Sequence, residues 1–152
     1  MKTLQFTLIF FFSVIVLNAQ LLEKEDGRYY DHRNNLYTGT YIEYYPSGTV
    51  RIEMQVVNGL KEGVTTLYFE NGRKKEVRSF KDNQMDGIWT TWNEDGVKIG
   101  EASYKLGLKH GRWGIWDENG IHRYDMHYTD GKKTGVWTIR DANGKVTEQK
   151  EF

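Results

Sequence analysis

Apolar and polar positions mix along most of this chain in stretches of six to nine residues bounded by turn residues, as in Gly39 to Tyr44 (GTYIEY) and Gly87 to Trp92 (GIWTTW). Short stretches of this kind read as strands, whose side chains point by turns to two faces. The stretches are rich in Tyr, Trp, Thr, Val and Ile, residues that suit a pleated surface. Between them stand pairs such as Asn58-Gly59 and Asp95-Gly96. No segment keeps a 3.6-residue apolar period for three turns, so the pattern predicts an all-β chain. One stretch breaks the rule: Leu8 to Leu17 (LIFFFSVIVL) is continuously apolar.

The turns recur on a fixed count. Gly39, Gly63, Gly87, Gly111 and Gly135 lie 24 residues apart, as do Gly48, Gly72, Gly96, Gly120 and Gly144. A third series runs Gly59, Asn83, Gly107, Gly131, its one substitution being the other residue that tolerates a left-handed backbone. These series hold thirteen of the sixteen glycines, which marks the chain as a repeat protein. Each unit reads as two strands and two turns. The pairs Ser47-Gly48, Asn71-Gly72, Asp95-Gly96, Asn119-Gly120 and Asn143-Gly144 predict two-residue turns with positive φ at both centres. Asn58-Gly59, Asp82-Asn83 and Asp130-Gly131 predict the return turns. The expected fold is a single-layer, extended antiparallel meander of tandem 24-residue β-hairpins, with about ten strands and on the order of 50 Å long. The array occupies residues 39–152, with a fifth unit cut short at Phe152.

Aromatic residues keep the same count. One column holds Tyr41, Thr65, Trp89, Trp113 and Trp137; a second holds Tyr44, Tyr68, Trp92, Trp116 and Arg140; a third holds Val56, Phe80, Tyr104, Tyr128 and Phe152. With Ser47-Gly48 as a turn, Tyr41 falls opposite Met54 and Tyr44 opposite Arg51. The same count puts Trp89 opposite Ala102 and Trp113 opposite Met126. Because side chains alternate, Trp89, Trp113 and Trp137 face one side and Tyr44, Tyr68, Trp92 and Trp116 the other. One face is expected to pack and the other to present, and the candidate interaction surface comprises these seven residues.

The ends differ from the array. Lys2, the apolar run and Ala19 have the form of a secretory signal over residues 1–19, too short to span a bilayer. The expected mature protein is exported, periplasmic or secreted, without membrane insertion after cleavage. Residues 20–38 read as a capping segment, with a strand and turn from Arg28 to Asn35 covering the open edge of the sheet.

Composition narrows the chemistry. There is no cysteine, and 21 basic residues balance 21 acidic ones. This excludes disulfides and thiolate metal sites, and it removes the basic footprint that nucleic acid or anionic lipid requires. Of the four histidines, His110 sits at a turn in a column with Glu62, Asp86 and Thr134. His122 is expected opposite Asp117, with His127 on the other face, so no metal site and no cofactor is predicted. Ser103 is the one serine placed to meet a histidine, His110, across the return turn, and no third carboxylate is evident. Carboxylates such as Glu53 and Glu101 recur once per unit, as scaffold residues do. These residues predict no enzyme.

The stretches GVTTLYFENGRKKEVRSFKDNQMDG and GRWGIWDENGIHRYDMHYTDGKKTG resemble the MORN-repeat variant of bacterial proteins, many of them labelled YwqK-family antitoxins. The resemblance runs from Tyr37 to the C-terminus and departs at Thr65 and Arg140, where the aromatic columns are interrupted. It implies a β-hairpin sheet used for binding, and its label implies an antitoxin or immunity role. From the residues themselves, tryptophans in register on a nearly neutral surface point to an unknown protein or peptide partner. The alternative is a cell-wall or glycan ligand stacked on the rings, against which the period of 24 and the spacing of the rings argue.

Overall fold

The computed structural model describes residues 21–152; the export signal expected over residues 1–19 lies outside them. The described residues form thirteen strands: β1 (Leu22–Glu23), β2 (Tyr29–Tyr30), β3 (Gly39–Tyr44), β4 (Val50–Val57), β5 (Leu60–Tyr68), β6 (Lys74–Lys81), β7 (Gln84–Met85), β8 (Gly87–Trp92), β9 (Lys98–Lys105), β10 (Leu108–Trp116), β11 (His122–Thr129), β12 (Lys132–Arg140) and β13 (Val146–Glu151). Strands β3 to β13 make one open antiparallel sheet in which each strand pairs with the next, β7 being a short addition on β6 ahead of β8. The ten long strands are those that the repeat, with two strands per unit, predicts.

The three glycine series have three separate causes. At the return turns both central residues have positive φ, as in Asn58 (49°) and Gly59 (78°) or Asp130 (47°) and Gly131 (82°), as expected. At the other turns only the glycine does: Gly96 has φ +86°, while Asp95 is not in the left-handed region. These turns begin earlier than expected. Gly96 N–H donates to Asn93 O (3.0 Å), and Asn93 N–H donates to Val97 O (2.9 Å). The result is a type I turn completed by a left-handed glycine, and Pro46 takes its first central position in unit one. In units three to five the opening residue also caps the turn. Asn93 Oδ1 accepts from the N–H of Asp95 and Val97, and Asp117 and Asp141 act likewise.

The remaining series, Gly63 to Gly135, sits in a bulge. Lys109 pairs with Tyr104 and Trp113 with Ala102, so His110, Gly111 and Arg112 face Ser103 alone. Gly111 has φ +86°, and a Cβ there would stand 3.2 Å from Ser103 Cβ. A second bulge follows each type I turn. It places Tyr44 opposite Val50 and leaves Arg51 unpaired, where simple counting puts Arg51 opposite Tyr44.

The column holding His110 ties successive hairpins together. Thr38 Oγ1 accepts from Asn58 N–H (2.8 Å), Glu62 from Asp82 N–H (2.9 Å) and Asp86 from Leu106 N–H (3.0 Å). His110 Nδ1 stands 3.5 Å from the backbone N of Asp130. Each unit thus satisfies a backbone donor in the next return turn, which explains why a polar residue recurs there. Leu106 departs from the turn chemistry. It takes φ 47° where the other units place Asn58, Asp82 and Asp130, and it is 55% exposed. A leucine has no local hydrogen bond to offset the left-handed conformation. Leu106→Asn is therefore expected to stabilise the protein by about 0.5–1 kcal/mol, read as a higher urea midpoint at unchanged slope. An unchanged or lower midpoint would show that the turn stores no strain.

The capping segment covers a face, where the sequence predicts that it covers the edge. β1 pairs only with β2, and the outer side of β3 gains no strand. Tyr29 N–H donates to Gly59 O (2.9 Å), and its carbonyl accepts from Tyr37 N–H (3.0 Å). This lays Tyr29 (8% exposed) on Met54 (6%) and Val56 (1%), with Leu21, Tyr37, Tyr41 and Ile52 around them. Among the described residues this is the one well-buried apolar cluster. The segment lands on the face of Tyr41 and Thr65; Thr65, small and buried, occupies the column that holds tryptophan in the later units. Burial and the bond to Glu23 push the Tyr29 hydroxyl pKa up.

Candidate functional site

The two aromatic faces differ in kind. Trp89, Trp113 and Trp137 join the third column into an unbroken ladder of rings along one face, which we call the ladder face. Centroid separations are 5.8 Å for Phe80–Trp89, 5.2 Å for Trp89–Tyr104, 5.1 Å for Tyr104–Trp113 and 5.3 Å for Trp113–Tyr128. The ladder continues with Tyr128–Trp137 at 5.2 Å and Trp137–Phe152 at 4.7 Å. The planes are inclined to one another, an arrangement in which ring edges meet ring faces favourably. Each of the three ladder indoles donates its N–H to a backbone carbonyl: Trp89 to Ser79 (3.3 Å), Trp113 to Ser103 (2.9 Å) and Trp137 to His127 (3.1 Å).

Cations lie over the joints of the ladder. Lys109 Nζ is 4.3 Å from the Trp113 centroid and 4.9 Å from that of Tyr128. Lys133 Nζ is 4.5 Å from Trp137 and 4.9 Å from Phe152, and Lys150 is 5.0 Å from Phe152. Lys61, in the column of Lys109 and Lys133, stands 5.4 Å from both Tyr29 and Phe80. Among the described residues none of these lysines is in an ion pair, whereas Arg78 beside Trp89 is paired with Glu76. Next to the ladder a hollow of about 310 Å³ is lined by Ile115, Tyr124, Met126, Trp137 and Ile139. Ile115 is 43% and Tyr124 39% exposed.

On the other face Tyr44, Tyr68, Trp92 and Trp116 are separate rings. Each is paired across its turn with a different residue: Val50, Lys74, Lys98 and His122 respectively. Tyr68 hydroxyl donates to Glu53 (3.4 Å), and Trp92 borders a shallow hollow with Arg73 and Lys74. Trp116 is engaged further. Its ring folds over Gly114, where a Cβ would stand 2.4 Å from the ring, and stacks on His122 at 4.6 Å and 21°. Lys98 Nζ lies 4.1 Å from the same ring.

The histidines depart from the expected placement. His122 pairs with Trp116, where counting puts it opposite Asp117, because Arg123 is bulged out. The bulge reverses the alternation, so His122, Asp125 and His127 share one face. Arg140 Nη1 approaches His122 Nδ1 at 3.3 Å, and His122 Nε2 has no hydrogen-bond partner. Burial lowers the His122 pKa, with Arg140 and Arg112 adding to the effect against Asp125. Among the described residues no group of three His, Asp or Glu side chains is placed to hold a metal ion. Beside Ser103, His110 does have a carboxylate, Asp130 Oδ1 at 3.1 Å from its Nδ1. No hydrogen bond links Ser103 to His110, so the constellation lacks the contact that would activate a nucleophile.

The lysine row and the apolar hollow were not singled out by sequence reasoning. Their signal was nonetheless present, since Lys61, Lys109 and Lys133 stand two places before the bulge glycine and Ile115 and Ile139 four places after it.

A family model described as MORN repeat variant matches residues 37–58 and 85–106. The first match runs from the approach to β3 through β4 to the return turn, and the second covers the same stretch of unit three. Each is one whole hairpin opened by a glycine of the same series, Gly39 or Gly87. No curated protein matches the chain.

Proposed function

We propose that this chain is a non-enzymatic, exported scaffold whose ladder face, over units three to five, receives a protein or peptide segment. The observation that carries this reading is uneven cover on one face. Over unit one residues 21–37 of the chain itself lie on the ladder face and bury Met54 and Val56; over the later units Ile115, Tyr124 and Ile139 surround an apolar hollow beside the rings that has no such segment on it. Apolar surface flanked by polar residues and open to water is the usual form of an interaction site. The antitoxin or immunity role is the narrower version, for a partner met outside the cytoplasm, and it rests on the resemblance of the repeats. A stacked glycan is less well supported, because Trp116 is already stacked on His122 and the other rings of that face, Tyr44, Tyr68 and Trp92, stand apart from one another.

Selection from a random peptide library displayed on phage tests the proposal. Enriched peptides are expected to bind the wild type and to lose binding to the Ile115→Arg variant, which places a charge in the hollow at a half-exposed position. Peptides that bind both proteins equally, or no enrichment, would count against the ladder face as the site.

A further inference from the structure

We infer that the segment received on the ladder face is acidic and extended in the polyproline II conformation. Carboxylates on every third residue meet Lys109 and Lys133, and an aliphatic side chain sits in the hollow between Ile115, Tyr124 and Ile139. This deepens the binding role proposed above and rests on it.

Charge comes first. Over units three to five the ladder face presents Lys109, Lys133 and Lys150, with Glu148, opposite Ile139, as its acidic residue. The lysines are not ion-paired among the described residues, as Lys74, Lys81, Lys105 and Lys132 elsewhere on the sheet are not, whereas Arg112 pairs with Asp125, Arg123 with Asp117 and Lys98 with Glu101. What sets the ladder lysines apart is their place over the rings. A cation held over an aromatic ring keeps its charge available to an approaching anion. The geometry therefore asks for carboxylates, where the rings alone would accept any apolar group.

Spacing comes second. Lys109 and Lys133 occupy equivalent places one hairpin apart, which is two strand spacings or roughly 10 Å. A segment crossing the strands must present its carboxylates at that interval. A polyproline II helix returns to the same side every three residues, about 9 Å along. A β-extended segment returns every two residues, about 7 Å, and falls out of step. The face also offers no backbone donors or acceptors, because those of the inner strands are spent on neighbouring strands. Polyproline II is the extended form that needs none.

The chain's own cap supports the arrangement. In units one and two Lys61, the counterpart of Lys109, lines a cleft with Glu23 and Tyr29 of the covering segment. A second copy's residues 21–37 are a poorer fit over the later units. There Trp113 and Trp137 fill the column in which Thr65 leaves room for Tyr29.

The test uses short fluorescent peptides titrated against the whole protein by anisotropy. One has Glu at every third position, a central Leu and Pro between; a second has Glu at every second position; a third replaces Glu with Lys. The first is expected to bind, to weaken as salt is raised, and to bind roughly tenfold more weakly to the Lys109→Gln Lys133→Gln variant. Lys98→Gln, on the other face, is expected to leave it unchanged. Equal binding of the first two peptides, equal binding to the double variant, or equal competition by polyglutamate without apolar residues would overturn the inference. The library selection separates the two claims. Ile115-dependent ligands without spaced acids would end this inference and leave the binding role standing, whereas no Ile115-dependent ligand would end both.

Discussion

Trp113→Ala is expected to cost about 3 kcal/mol in urea unfolding, while Trp92→Ala costs about 1 kcal/mol or less. Both residues are tryptophans on the same scaffold, and neither is fully buried. The difference lies in what each touches. Trp113 meets Tyr104 at 5.1 Å and Tyr128 at 5.3 Å, donates to Ser103 O at 2.9 Å and lies under Lys109. Removing it breaks the ladder into two halves and strands a carbonyl between them, so two ring contacts of about 0.5–1.5 kcal/mol each are lost along with the apolar burial. Trp92 meets no other aromatic ring and borders only the shallow hollow with Arg73 and Lys74. Equal losses for the two variants would refute the view that the ladder face is the structural one. A repeat sheet is stabilised by nearest neighbours, so a break at Trp113 should also lower cooperativity and reduce the denaturant slope.

Tyr29→Ala is the second large effect, again about 3 kcal/mol, and it should be local. Tyr29 covers Val56, which is 1% exposed, and Met54, which is 6% exposed. Tyr37 of the same segment packs beside it against the cluster but is only partly buried. Loss of the Tyr29 ring opens that cluster, and the backbone bonds from Tyr29 to Gly59 and from Tyr37 to Tyr29 lose their anchor. Amide exchange should accelerate in β3, β4 and β5 and stay unchanged in β10 to β13, because distant units contribute separately to stability. Protection lost evenly along the sheet, or not at all in β4, would show that the cap is ornamental.

Particular residues show how far the sequence could be read. The separation of Trp89, Trp113 and Trp137 from Trp92 and Trp116 was legible because alternation across a strand is a local property that no tertiary contact can alter. The pairings of Tyr41 with Met54, Trp89 with Ala102 and Trp113 with Met126 were legible because the extra residue bulged beside each turn restores the simple count beyond it. Tyr44 and His122 were misplaced because an extra residue, Arg51 or Arg123, is bulged beside the turn. A bulged residue has no compositional mark of its own, and it displaces by one the pairings between itself and the turn. The turns at Asp95-Gly96 and its counterparts were misread because the same dipeptide serves two turn types. The longer loop opens with Asn93, Asp117 or Asp141 in units three to five and equally with Tyr45 or Phe69 in units one and two, so its opening residue does not mark the choice.

By itself the sequence determined the unit, its two strands, its turns and the two kinds of face. These follow from backbone conformations that glycine alone adopts cheaply and from side-chain alternation, both of which act over a few residues. Only the tertiary structure decided which face is covered and which part of it stays open. That outcome depends on where residues 21–37 land, and they land where Thr65 leaves a gap in a column otherwise built of large rings. A vacancy of that kind is a relation between distant parts of the chain, and packing, unlike periodicity, exists only once they have met.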